Sequence, residues 1–167
     1  MRRILVLTAT LAVAMTACTG GGSKSSDRRA DIYSAVIRAV LADTSHGKIT
    51  SDTSVFVGAA RERSLINLEV QADIVAQLHE VATIRFVDHR GEAIDDSNPH
   101  RPVKNNGLLI TLGNIPSAAK TVMVNAGRYL NATNAIAYRV TVKRTATQWK
   151  PIATTSVSCR DLQAPVC

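Results

Sequence analysis

The hydrophobic period of this chain changes near residue 83, and that change limits what it can fold into. Upstream, Ile32, Tyr33, Val36, Ile37, Val40 and Leu41 recur at the spacing of one helical face, with Arg29, Ser34 and Arg38 opposite. Ser25, Ser26 or Asp27 can cap this helix, which is expected to begin near Arg28 and to stop around 43–47, where Gly47 is the breaker. A short β-rich run, Ser54-Val55-Phe56-Val57, comes next. Asn67 can then cap a second helix in which Val70, Ile74, Leu78 and Val81 form a stripe, while Gln71, Gln77 and Glu80 face outward. Downstream of residue 83 the period is two. Residues 83–87 and 107–112 read as strands, and 120–125 alternates with Val122 and Val124 on one side. Ile136, Tyr138, Val140 and Val142 alternate most cleanly, with Arg139, Thr141 and Lys143 on the other face. Residues 148–157 form a return strand in which Pro151 cannot donate a ladder hydrogen bond, so this strand lies at an edge or carries a bulge. The pattern predicts an α+β domain, with two amphipathic helices packed on an antiparallel β-meander of about five to six strands.

With 167 residues, 46% of them hydrophobic, the chain can bury one core, and the folded part is expected to span 30–158 as a single domain. The composition excludes collagen, a coiled coil, a disulfide-dense mini-protein and a wholly disordered chain. Reactive side chains crowd in one place, the polar segment 88–106. There His89 and His100, with Asp95 or Asp96, have the chemistry of divalent-metal ligands. Asp-Asp and Asn-Pro turn chemistry in a solvated loop explains the same residues more simply, and the spacing matches neither a calcium loop nor a zincin helix. His79-Glu80 reads as a surface pair. Asp43 with Asp52, or Asp88 with Glu92, are candidate carboxylate pairs whose separation the sequence does not set, and exposed acids are the default. Ser117 and Ser158 stand in no Gly-x-Ser-x-Gly elbow. Asn131-Ala132-Thr133 fits a glycosylation pattern and also a turn. No coherent catalytic set emerges, and no cofactor is implied.

The N-terminus carries the most specific signal. Arg2 and Arg3 precede an apolar run from Ile4 to Met15, the layout of a secretory signal peptide. Met15-Thr16-Ala17-Cys18 closes it and resembles the lipobox of bacterial lipoproteins, with Met15 where leucine is commonest. The resemblance implies removal of residues 1–17 and lipidation of Cys18 as the new first residue. Residues 18–29 are then a Gly/Ser-rich tether between lipid and domain. A protein of this class is moored to the cell membrane or outer membrane and faces the extracytoplasmic side, and no Asp follows Cys18 to mark inner-membrane retention. Loss of Arg2 and Arg3 lowers the formal charge from +7 to +5. An excess of that sign suits anionic lipid headgroups or an anionic cell-wall polymer, although plain solubility explains it too. Nothing in the chain resembles a nucleic-acid recognition element. With Cys18 lipidated, Cys159 and Cys167 remain as an even pair in an oxidising compartment, and a disulfide closing the tail 159–167 is the favoured reading over free thiols or a bridge to a partner.

These features together predict a membrane-anchored envelope lipoprotein whose domain is a non-catalytic binding or structural module, with an envelope protein or anionic polymer as partner. Two alternatives remain at this point. One is a small-ligand or enzyme-like pocket between helices and a curved sheet. Its fold would be the ketosteroid-isomerase-like cone, whose terminal hairpin the one carrying Trp149 resembles. The other is a metal-binding lipoprotein using residues 88–100. An open cavity with buried titratable groups would favour a pocket; a core filled by side chains would favour a plain module.

Overall fold

The computed structural model describes residues 24–44, 49, 53–61, 64–117 and 119–158. Cys18, Cys159 and Cys167 lie outside them, and so do the signal segment and Asp52. The domain is α+β, as the change of period predicts. Its elements run α1 (Lys24–Ala42), β1 (Ser54–Ala59), α2 (Leu68–Leu78), β2 (Thr83–Phe86), a short α3 (Arg90–Ala93), a 3-10 turn (Lys104–Asn106), β3 (Leu108–Leu112), β4 (Thr121–Asn131), β5 (Asn134–Arg144) and β6 (Trp149–Val157). Helix α1 starts four residues ahead of the expected Arg28, so residues 24–29 are helix where a tether was anticipated.

The six strands form one sheet in the order β2-β1-β3-β4-β5-β6. From β3 to β6 it is the expected antiparallel meander, but the sheet as a whole is mixed. β1 runs parallel to both neighbours, with Val55 opposite Ile84 and Leu108. The reason lies in the connections. Strand, helix and strand follow one another through 54–86, and a helical crossover returns the chain to the end where β1 began. β1 is accordingly buried on both faces at Val55, Phe56 and Val57. Gly107 lets β3 come in beside it: a Cβ there would lie 2.6 Å from the Ser54 carbonyl oxygen.

One face of the sheet meets both helices. Val36, Ile37 and Val40 of α1 and Val70, Ile74 and Leu78 of α2 pack on the even-numbered residues of β3, β4 and β5. Asn67 caps α2 as expected, its Oδ1 accepting from the Glu69 amide at 2.8 Å. The other face is covered only in part. Segment 88–106 straps across it, setting Ala93, Ile94 and Val103 on Phe56, Leu109 and Tyr129. β6 forms one edge of the sheet, and the register jumps from Thr141↔Ala153 to Val142↔Pro151, which leaves Ile152 as the extra residue of a bulge. The proline thus sits both at an edge and at a bulge.

Candidate functional site

Along β6 the helix side of the sheet is not filled. The α1 wall facing it carries Ala39 and Ala42, and the opposing wall carries Pro151, Thr154 and Ser156. These are all small, and they leave a groove of about 620 Å³ between helix and edge strand. Towards the start of β6 the groove continues past Pro151 into a second depression of about 320 Å³, beside Ser34, Ala35, Arg38 and Trp149. The Ser34 hydroxyl there is buried, with no hydrogen-bond partner among the described residues. Arg38 reaches from α1 to α2 to donate to the Gln77 carbonyl oxygen, and Gln77 Nε2 donates to Asp31 Oδ1 at 2.9 Å.

The far end of the main groove is closed by a buried polar cluster. Tyr138, on β5, and Arg128, on β4, are both 1% exposed. The Tyr138 hydroxyl donates to Asp43 Oδ2 at 2.8 Å, and Arg128 Nη1 donates to the Asp43 backbone carbonyl at 2.8 Å. Asp43 directly follows α1, so the two strands hold the C-terminal end of the helix, where carbonyls lack helical partners. Burial first, and then the bond to the Asp43 carboxylate, push the Tyr138 hydroxyl up to about 12. It is a fixed donor, not a base. Arg128 shares the even-numbered face of β4 with Val122, Val124 and Ala126, a charge on an apolar stripe that sequence analysis passed over.

The candidates in segment 88–106 do not gather into a metal site among the described residues. No family model, curated protein or solved structure matches this chain. Function therefore has to be argued from its own geometry. Asp43 accepts from the Tyr138 hydroxyl, and Asp52, its candidate partner, lies outside the described residues. In segment 88–106 the carboxylates of Glu92, Asp95 and Asp96 are committed locally. Asp95 Oδ1 accepts from Ser97 Oγ at 2.6 Å and from the Ser97 amide at 3.1 Å, which holds its carboxyl below the usual range. Asp96 pairs with Arg101 through Nε at 2.9 Å and Nη2 at 2.7 Å, raising the guanidinium's pKa. Glu92 accepts from the His89 amide at 3.1 Å, and the His100 amide donates to Asn98 at 2.9 Å. Among the described residues no three His, Cys, Asp or Glu side chains converge. The strap is instead anchored to the sheet. Tyr129 donates to the Arg101 carbonyl at 2.8 Å, and the Arg90 guanidinium lies 4.2 Å from the Tyr129 ring centre. His79 and Glu80 form an exposed pair at 3.7 Å. Asn131 closes the β4–β5 turn by accepting from the amide and hydroxyl of Thr133, each at 3.0 Å.

Proposed function

We propose that the chain is an envelope lipoprotein, anchored to the membrane through acyl groups on Cys18, and that its domain is a non-catalytic module binding an extended segment of another envelope protein along β6. The observation that carries the binding role is the edge itself. Strand β6 is exposed on both faces from Lys150 to Ser156, is uncharged from Pro151 to Ser158, and is an edge strand with no further strand beside it among the described residues, next to an open groove. A strand added there would extend the sheet and set alternate side chains into the space left by Ala39 and Ala42. The Asp43–Tyr138–Arg128 cluster ties the end of α1 to β4 and β5 and so fixes one wall of the groove. Lysines, prolines and bulges usually protect such an edge. Here Lys150, Pro151 and the bulge at Ile152 stand at one end, leaving Ala153 to Val157 free of them.

Two measurements test the reading. Cys18→Ser is expected to abolish palmitate labelling and release the protein from detergent extracts; unchanged labelling rejects the anchor. A photo-crosslinker at Thr154 is expected to capture one defined envelope protein in intact cells, and Ala39→Leu, which fills the groove, to suppress it. Capture indifferent to Ala39→Leu rejects the groove.

A further inference from the structure

We infer that the end of the sheet at which α1 begins is a second binding surface, one that rests on the anionic headgroups of the bilayer holding the anchor. The inference depends on the anchored reading above and adds an orientation to it. Charge is segregated along this chain. Twelve of its 13 acidic residues precede residue 97 and the last is Asp161, so β3 to β6 contain no carboxylate at all. Four of the cations that follow, Lys120, Lys143, Arg144 and Lys150, are exposed and meet at one end of the meander. Lys143 is the cross-strand partner of Lys150, Arg144 pairs with Trp149, and the Arg144 amide donates to the Lys120 carbonyl at 2.8 Å. Like charges set directly opposite each other weaken a sheet unless a counter-charge is supplied from outside.

The chain's anchor leads to this same end. Arg28, in the first turns of α1, lies 5.3 Å from the Trp149 ring centre, with Nη2 at 3.4 Å from the Pro116 carbonyl and 3.5 Å from that of Ala119. Cys18 stands six residues before Lys24, a span of roughly 20 Å when fully extended. A lipid on Cys18 therefore keeps these cations within reach of the headgroups. Asp27, Asp31 and Glu69 also stand at this end, set against Arg28, Arg29 and Arg61. Apolar side chains decide between a bilayer and a soluble polyanion. β1 runs antiparallel to β4 and leaves the sheet here, and the residues after it expose Leu65 by 58% and Leu68 by 78%. Leucines and lysines exposed at the same end of one sheet fit the boundary between headgroups and acyl chains, and the leucines gain nothing from a hydrophilic polymer.

The test uses the full chain, exported, lipidated and reconstituted into vesicles of phosphatidylcholine alone or mixed with phosphatidylglycerol. A water-soluble acylating reagent then reads each lysine by mass spectrometry. Acylation of Lys120, Lys143 and Lys150 is expected to slow roughly threefold or more on the anionic vesicles and to recover in high salt, while Lys104, at the opposite end, is unaffected. Lys143→Glu with Lys150→Glu should leave flotation intact and abolish protection of Lys120; Leu65→Ser with Leu68→Ser should weaken that protection. Equal rates on both vesicle types overturn the inference, as does protection by added polyphosphate alone. Failure of the anchor shows separately, as a mass without acyl chains and no flotation on neutral vesicles. Protection by excess anionic vesicles would then still uphold the contact, and its absence would overturn it.

Discussion

At the scale of single residues, the fold depends most on Tyr138, whose hydroxyl joins β5 to the residue that ends α1. Tyr138→Phe keeps the ring and removes the donor, leaving the Asp43 carboxylate one partner short. The expected loss is about 1.5–3 kcal/mol, read from urea unfolding midpoints. The same hydroxyl sets an alkaline limit. Its pKa rises on folding from 10.0 to about 12, so between those values the native state holds a proton that the unfolded chain has released. The stabilisation is complete below the lower value and disappears as pH climbs through the upper one. Wild type and Tyr138→Phe should therefore converge in stability across that window; parallel pH profiles would refute the bond. Tyr138 was legible as a core residue, because it stands in the cleanest alternation in the chain. Arg128 was not. Charged residues are seldom fully buried, so an arginine ending an apolar stripe reads as the point where burial stops.

At the scale of elements, hairpins were readable and parallel pairing was not. β4, β5 and β6 adjoin in sequence, and their side-chain alternation fixes which face is inward. β1 and β2 are short, and an apolar run of four to six residues carries no information on direction. The usable signal was the spacing of strand, helix and strand over 54–86, the layout of a crossover unit. The groove was illegible for a related reason: Ala39, Ala42, Thr154 and Ser156 are unremarkable singly and leave space only when the helix lies over that edge. Gly107 marks where the two halves of the sheet meet. Gly107→Ala would bring its methyl carbon against the Ser54 carbonyl, a backbone atom that cannot move without shifting β1. A cost of about 1–3 kcal/mol is expected, with faster amide exchange in β1 and β3 than in β5.

At the scale of the whole molecule, cysteine chemistry bears on how the protein begins and ends. If Cys159 and Cys167 are joined, alkylation of the denatured, unreduced mature protein will label neither, and reduction will expose two thiols; stoichiometric labelling before reduction refutes the bridge. The mixed sheet also has a temporal side. Synthesis delivers α1, β1, α2 and β2 first, yet β1 is completed only by β3, whose Leu108 pairs with Val55 across 53 residues of chain. The late meander can zip by local hairpins, whereas the middle strand must wait, greasy on both sides, for a neighbour not yet made. A chaperone that shields nascent chains would thus find its natural foothold at 54–59.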